Sequence, residues 1–371
     1  MKSSCFILRR AFLFLSLVTF LAASGLSQTP TPSPKIPEED EVVKVNSRLV
    51  VIPVSVTDAS GQPVTGLTAK DFRVLEDGKQ QEIDQVGNAE KVPLEIALLV
   101  DVSGSVNPLF DFEKEAAAQF LQSVMKPDDH ATIFLIGDKP QSALVRENST
   151  QAAGRLATVT LSGKFTAFYD TVLLAADFLQ KNAPVKSRKV ILALTDGEDN
   201  WSDITREAEK AAYRDVDVNT LTSAKRNELA ATTDAAHKRA RQKILVSLQN
   251  ADTVFYAINP AGGSFKLNKI SQRAQTGMQA FADETGGTAF LPNFQPLDTK
   301  DALQNSGNAK KNEATLEQIF RQLANELRAQ YLVQYYSETE YPNNKFVKLD
   351  ISLQAPAGRR VRARQGYYAK N

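Results

Sequence analysis

The chain has 371 residues, of which 42% are hydrophobic and 23% charged, and its formal net charge is +1. This length is enough for two domains of roughly 100–200 residues each, and the balanced charge gives no electrostatic reason to expect nucleic acid or an anionic membrane surface as a partner. A single cysteine, Cys5, and two histidines, His130 and His237, exclude a disulfide framework, a zinc site of Cys and His ligands and a Cys–His nucleophile.

Residues 1–27 are predicted to be a cleaved signal peptide. A basic start precedes an apolar run at 11–23, and small residues follow as far as Ser27, which is the arrangement of an export signal. The apolar run is too short to span a bilayer, so we expect no stable transmembrane anchor after cleavage and a secreted, periplasmic or cell-surface protein. Residues 28–41 are rich in proline, threonine and acidic side chains, which is typical of a disordered linker.

The segment 42–90 is predicted to belong to a small β-sandwich. Its residues 50–56 alternate and are rich in β-branched side chains, and a turn signal follows at 58–61. Asp77 and Gly78 then supply the residue pair that favours a tight hairpin. Short strands separated by turns are typical of such sandwiches.

From residue 92 to residue 295 the pattern changes to an alternation of strands and helices. Apolar runs at 94–100, 190–194 and 254–258 indicate strands that are buried on both faces. Helical periodicity appears between them. This alternation predicts an α/β domain with a doubly wound, mainly parallel sheet. The stretch 203–248, dense in alanine and charged side chains, is interpreted as a helical insert within it.

The last part of the chain is predicted to return to β structure. The polar residues 296–312 indicate a loop, and the segment 313–371 is expected to form a helix at 313–329 followed by β-strands. Because β segments flank the α/β domain on both sides in the sequence, we expect the N- and C-terminal strands to form one flanking β-sandwich.

Oxygen-bearing side chains follow two of the buried strands. The first strand is followed by Asp101, Ser103 and Ser105, and a later one by Asp196, while Thr166 lies between them on a loop before a helix. Ligands of open parallel sheets bind at the carboxyl ends of the strands. Carboxylate and hydroxyl oxygens are the donors that a hard cation such as Mg²⁺ prefers. The sequence therefore predicts one divalent metal site at this edge.

This set of residues resembles the complete metal-ion-dependent adhesion site (MIDAS) of von Willebrand factor type A (VWFA) domains, over about residues 92–295. The flanking sequences FRVLEDGKQQ, RAQYLVQYY and RVRARQGYY resemble exported bacterial VWFA-related proteins of the acidobacterial type. The resemblance implies that Ser103, Ser105 and Thr166 ligate the ion. It also implies that Asp101 and Asp196 contact the ion directly or through water.

Such a site implies protein binding rather than catalysis. Neutral hydroxyl ligands leave the ion (Mg²⁺, or Mn²⁺ or Ca²⁺) with much of its charge, so a partner protein presenting Asp or Glu can complete its shell. Two alternatives remain open: a structural or assembly protein whose site is filled from within or by a neighbouring copy, and a metal-dependent hydrolase.

Three residues beside Asp196 have two interpretations each. Trp201 is expected to pack against the inserted helices, and the alternative is an anchor for a partner. Glu198 and Asp199 are interpreted as solvated loop acids, and the alternative is that they are additional ligands.

Overall fold

The structure is a computed structural model that describes residues 47–103, 110–163, 165–214, 216, 221–260, 268–297 and 299–370. The predicted signal peptide (1–27), the predicted linker (28–41) and Ser105 lie outside these residues. Within the described ranges, no helix combines the length and the apolar character that a membrane crossing requires.

The elements are numbered in chain order. The strands are β1 (Arg48–Thr57), β2 (Phe72–Glu76), β3 (Lys79–Gln81), β4 (Gln85–Asn88), β5 (Leu94–Asp101), β6 (His130–Ile136), β7 (Gln141–Glu147), β8 (Arg188–Leu194), β9 (Thr253–Ile258), β10 (Ala289–Phe290), β11 (Tyr331–Ser337), β12 (Phe346–Leu353), β13 (Arg360–Ala363) and β14 (Gly366–Tyr368). The helices are α1 (Phe110–Val124), α2 (Ser149–Ala157), α3 (Phe168–Asn182), α4 (Asp203–Tyr213), α5 (Ser223–Asn250), α6 (Lys269–Thr285) and α7 (Ala302–Arg328).

The central sheet carries the predicted site. In the part of the chain that the structure describes, it has six strands in the order β10-β9-β8-β5-β6-β7, and all neighbours are parallel except β6 and the edge strand β7. Helices α1, α2 and α7 bury one face of the sheet, and helices α3, α5 and α6 bury the other. The apolar runs of β5, β8 and β9 follow from this double covering. The doubly wound α/β fold is confirmed.

The strands at both ends of the chain form a β-sandwich. Within the described residues its two sheets have the orders β13-β1-β11-β4 and β14-β12-β2-β3, so each contains N- and C-terminal strands. Their inner faces share one apolar core, to which β1 contributes Val50, Ile52 and Val54. The alternating pattern of residues 50–56 predicted β1 correctly because every second side chain of the strand enters the core. The predicted flanking sandwich is confirmed.

The prediction of a loop over 296–312 is wrong for residues 302–312, which belong to α7. Asp301 caps this helix, since its side chain accepts hydrogen bonds from the N–H groups of Leu303 and Gln304. Asn312 is buried, and its amide group exchanges two hydrogen bonds with the backbone of Gln295. The polar side chains that indicated a loop therefore satisfy neighbouring backbone groups instead of water.

Within the predicted insert 203–248, residues 203–213 and 223–248 are helical, but only part of this structure is an addition to the fold. Strands β8 and β9 are parallel neighbours and need a crossover connection. The C-terminal half of α5 supplies it, with Ile244 and Leu248 buried against the sheet. The added structure is therefore α4 together with the first half of α5.

Candidate metal centre

The register of the central sheet places Asp101 beside Thr195. Val100 of β5 lies opposite Leu194 of β8, so the next residue of each strand emerges at the same edge. The hydroxyl group of Thr195 donates a hydrogen bond of 2.6 Å to Oδ2 of Asp101. The other carboxylate oxygen of Asp101 accepts a 3.0 Å bond from the backbone N–H of Ser103. The carboxylate of Asp101 is therefore held from both sides.

The loop that carries Asp196 has a constrained backbone. Gly197 has a φ of +77°, and a Cβ atom at this position would lie 2.7 Å from the side chain of Met278. Only glycine combines this conformation with this close approach at low cost. The N–H of Gly197 also donates a 3.0 Å bond to the Thr195 hydroxyl, and Oδ1 of Asp196 accepts a 2.9 Å bond from the N–H of Glu198. The hydroxyl of Thr195 thus connects the Asp196 loop to Asp101.

Thr166 lies on the loop before α3, which is bonded to the Asp196 loop. The backbone N–H of Thr166 donates to the side-chain oxygen of Asn200 at 2.8 Å. The carbonyl oxygen of Thr166 accepts bonds from the N–H groups of Asn200 and Trp201. Thr166 itself is buried. These bonds fix the position of the Thr166 loop relative to the residues that follow β8.

Ser103 is joined to the loop that leads to Thr166. It forms an isolated parallel bridge with Gly163, and the N–H of Ser162 donates to the carbonyl oxygen of Val102. Hydrogen bonds therefore connect three chain segments to one another. The first carries Asp101 and Ser103, the second carries Thr166, and the third carries Asp196. The fifth predicted ligand, Ser105, lies outside the described residues.

The two carboxylates of this edge are in an electrostatically costly position. Burial raises the pKa of Asp101, although hydrogen bonds from Thr195 and Ser103 oppose the shift. Burial is also the largest reason that the pKa of Asp196 rises to about 6, and the charges of Asp101 and Glu198 raise it further. A bound cation would offset the free-energy cost of burying these carboxylates and would reduce the repulsion between them. The residues present therefore fit a divalent metal ion.

The type of donor matters for that fit. Among the described residues, no group of three or more His, Cys, Asp or Glu side chains is placed to hold a metal ion. A cation at this edge would therefore need hydroxyl ligands in addition to Asp101 and Asp196. Ser103 and Thr166 are the predicted hydroxyl residues that the described segments place there.

Sequence reasoning missed the residues that support the predicted ligands. Thr195 and Asn200 lie in the polar stretch after β8, but no spacing rule marks them. Their role depends on contacts with Asp101 and Thr166, which are distant in the chain. No signal in the local sequence would have found them.

The interpretation of Asp199 as a solvated acid is wrong. Its side chain is buried and accepts hydrogen bonds from the N–H of Tyr169 and from the hydroxyl groups of Ser202 and Thr205. Burial raises the pKa of Asp199 to about 6, and these hydrogen bonds oppose the shift. Asp199 therefore connects the start of α3 to the start of α4. Glu198 is half-buried and accepts a 2.6 Å bond from the hydroxyl of Ser271.

Trp201 forms part of the rim beside Thr166. Its ring stacks on Phe165 with 3.9 Å between the ring centroids, and the guanidinium group of Arg206 lies over the Trp201 ring at 4.7 Å from its centroid. The contact with Arg206 of α4 agrees with the expected packing against the inserted helices. Phe165 is 40% exposed, so this stack also presents an aromatic surface to solvent.

No protein-family model matches the chain, and no curated protein matches it. A von Willebrand factor type A protein from Catenulispora acidiphila is a similar solved structure, with 15% identity and a TM-score of 0.39, over 76% of this chain and 51% of that one. Proximal thread matrix protein 1 from the mussel byssus, in a structure with a zinc-occupied MIDAS motif, has 13% identity and a TM-score of 0.39, over 68% of this chain and 50% of that one. BatB from Bacteroides thetaiotaomicron has 13% identity and a TM-score of 0.33, over 60% of this chain and 99% of that one.

The mainly parallel sheet with helices on both faces agrees with the doubly wound α/β fold that the resemblance to VWFA domains implied. This chain spans about half the length of the Catenulispora and mussel chains. Identities of 13–15% carry no information about what this chain binds.

Proposed function

We propose that this chain is an exported, metal-dependent protein-binding module. In this proposal Asp101, Ser103, Ser105, Thr166 and Asp196 hold one divalent cation, and a carboxylate of a partner protein completes the coordination shell. The observation that supports it most directly is the pair of half-buried carboxylates, Asp101 and Asp196, at the ends of adjacent parallel strands. Mg²⁺ is the proposed ion, with Mn²⁺ or Ca²⁺ as alternatives, because the donors are all oxygen atoms.

The chain's own residues have distinct tasks in this mechanism. The cation, when bound, supplies a positively charged coordination position for a carboxylate. Thr195 and the N–H of Ser103 hold the Asp101 carboxylate in one orientation. Asn200 fixes the loop that presents Thr166. Because three of the proposed ligands are neutral hydroxyl groups, much of the ion's charge remains for the partner.

A peptide-library selection tests this proposal and does not require an identified partner. The full chain is immobilised in Mg²⁺ or Mn²⁺, bound peptides are eluted with EDTA, and their sequences are determined. The enriched peptides are expected to contain an Asp or Glu whose replacement by Asn or Gln abolishes binding. They are also expected not to bind Asp101→Ala, whereas they bind the control Asp350→Ala, which changes an exposed acid of the β-sandwich. Binding that survives both EDTA and Asp101→Ala would falsify the adhesion mechanism.

A second candidate is an assembly protein whose site is completed from within. The charge of Glu198 acts on both Asp101 and Asp196, so a carboxylate of this chain already lies near the site. The hydroxyl of Ser271 bonds this carboxylate. If Glu198 completes the shell, Glu198→Gln should increase the affinity for the selected peptides. If a partner completes the shell, that affinity should change less than about twofold, as expected for a nearby surface charge.

Binding rather than catalysis is part of the proposal. A hydrolase with a metal at this edge would turn over esters or phosphates only when Mg²⁺ or Mn²⁺ is present. We expect no turnover across a panel of such substrates. Turnover that is lost in Asp101→Ala would favour the hydrolase instead.

A further inference from the structure

A large cleft lies at the opposite edge of the central sheet from the candidate metal centre. The amino ends of β8 and β9 form one wall, and the outward face of β1 and β11 in the β-sandwich forms another. Its volume is about 650 Å³. Small-molecule sites in proteins have volumes of about 300–1,000 Å³.

The lining of the cleft is strongly basic. Asp252 is the one acidic side chain among the described residues that line it, and it is paired with Arg364. The basic side chains in the same lining are Arg48, Lys186, Arg188, Lys189, Arg364 and Lys370. The lining therefore carries six positive charges against one negative charge, a formal excess of +5, whereas the whole chain has +1. This local excess favours an anionic ligand.

Five of the six basic side chains form no ion pair with a carboxylate among the described residues, although the charges of Asp129 and Glu90 act on Arg188. The side chains of Lys186 and Lys189 also form no hydrogen bond within those residues. Arg188 and Lys370 donate to the backbone carbonyl oxygens of Leu327 and Asn250, which are uncharged. Lys189 is half-buried, and its burial lowers its pKa despite the nearby carboxylate of Asp252. A half-buried ammonium group without a partner lowers the stability of the folded chain, and a bound anion would restore the lost stability.

Apolar side chains line another wall of the same cleft. In β1 the alternation sends Val50 and Ile52 into the sandwich core and turns Leu49 and Val51 outward into the cleft. Leu49 is 45% exposed and Val51 is 37% exposed. Val185, which precedes Lys186 in the lining of the cleft, is 94% exposed. An apolar wall and unpaired cations in one cleft match a ligand that has one anionic end and one apolar end.

The geometry of β1 argues against a peptide strand as the occupant. Strand β13 pairs with β1 only from Val54 onwards, which leaves the preceding edge without a strand neighbour among the described residues. However, Pro53 has no N–H to donate there. The guanidinium group of Arg364 already bonds the carbonyl oxygen of Val51. The backbone of this edge therefore offers little to an added strand.

We propose that this cleft binds a single-chain amphiphile with a carboxylate, phosphate or sulfate head. Lys186 and Lys189 contact the head, and Leu49 and Val51 contact the apolar tail. This site is independent of the metal centre, since it lies at the other edge of the sheet.

Calorimetric titration of the full chain in EDTA tests the proposal. The probes are dodecanoate, dodecyl phosphate and dodecyltrimethylammonium, each below its critical micelle concentration. We expect saturable 1:1 binding of the two anionic probes and none of the cationic probe. Binding of dodecanoate alone would restrict the head to a carboxylate within the same proposal. Equal binding of all three probes, or no binding of either anionic probe, would overturn it.

Substitutions locate the bound probe. The double variant Lys186→Gln/Lys189→Gln should weaken dodecanoate binding at least about tenfold, because two charge-assisted contacts are lost. Leu49→Asn should weaken dodecanoate binding several-fold, because it removes an apolar contact with the tail of the probe. Leu49 is exposed, so the fold tolerates this change. Lys210→Gln removes an exposed lysine of α4 and is the matched control. A lysine double variant that binds as tightly as the wild type contradicts the proposed site, and its thermal unfolding shows whether it is folded.

Discussion

At the carboxyl ends of β5 and β8 the chain gathers acidic side chains, whereas at the amino ends of β8 and β9 it gathers basic ones. The acidic group is small and rigid, because Thr195 and backbone N–H groups bond the carboxylate oxygens of Asp101 and Asp196. The basic group is spread over a cleft of about 650 Å³, and Lys186 and Lys189 are held by no hydrogen bond within the described residues. The rigid group suits a point charge such as a metal ion, and the broad group suits an extended anion.

Both edges differ from a third position in the same domain. His237 of α5 is buried, and its ring lies edge-on to Tyr169 at 5.6 Å. Burial lowers the pKa of His237 to about 4, so this side chain is neutral at pH 7. Here burial favours the neutral form of the side chain, although Oε1 of Glu209 lies 3.6 Å from Nε2. Each of the two edges instead gathers several ionisable side chains of one sign, which is the arrangement expected of binding sites.

The largest effect is expected from one of the two acidic residues of the proposed metal site. Asp101→Asn should lower the affinity for Mn²⁺ on the order of a hundredfold, because it removes one of the negative charges that the cation would meet there. Isothermal titration of the full chain measures it. Asp350→Asn, an exposed acid on β12, should leave the affinity unchanged. Equal affinities in the two variants would place the metal elsewhere.

The contrast with His237 predicts how stability depends on pH. The unfolded chain takes up a proton near pH 6.5, but folded His237 does so only near pH 4, so acidification through this range favours unfolding. From pH 7 to pH 4.5 this linkage should cost about 2 kcal/mol of unfolding free energy. Urea unfolding at pH 7 and at pH 4.5 measures this loss of unfolding free energy. In His237→Gln the loss should be smaller than in the wild type by about 2 kcal/mol. A variant with the wild-type pH dependence would show that His237 is not buried as a neutral group.

A smaller effect is expected from the residue that orients Asp101. Thr195→Val removes the hydroxyl group but keeps the shape of the side chain, and should weaken Mn²⁺ binding about tenfold. Thr195→Ser keeps the hydroxyl and should restore most of the affinity. If serine and valine have equal effects, the hydrogen bond to Asp101 does not position the ligand.

The smallest effect concerns the basic edge. Without a bound anion, Lys189→Met should raise the unfolding free energy by about 0.5 kcal/mol, a modest value because the side chain still reaches solvent. Thermal unfolding in buffer without amphiphiles measures it, with Lys210→Met as the control. A destabilised Lys189→Met would mean that the ammonium group has a partner in the folded chain.

Features that depend on local patterns were predictable from the sequence. The apolar runs indicated β5, β8 and β9 because both faces of the sheet are covered, and Asp101 and Asp196 followed because the ends of parallel strands meet at one edge. Thr166 is 30 residues before Asp196 and was predicted from its place on a loop before a helix, between the two polar strand ends, and the resemblance to VWFA domains then supported it.

Features that depend on contacts between distant segments were not predictable. Thr195 bonds a residue 94 positions away, and nothing in its local sequence distinguishes it from other threonines. The start of α7 was missed because Asn312 uses its amide to bond Gln295 instead of water. The basic cleft is assembled from β1, β8, β9, β11 and the C-terminal residues, so no single stretch of sequence reveals it.

A Mn²⁺ anomalous difference map would locate the cation at the proposed metal site. Crystals of the full chain are grown with MnCl₂, and data are collected near the manganese absorption edge. We expect one strong peak at the carboxyl edge of the central sheet, within coordination distance of oxygen atoms of Ser103 and Thr166 and beside Asp101 and Asp196. We also expect this peak to disappear in crystals of Asp101→Asn. A map without a peak at this edge, or a peak that remains in Asp101→Asn, would contradict the proposed metal site.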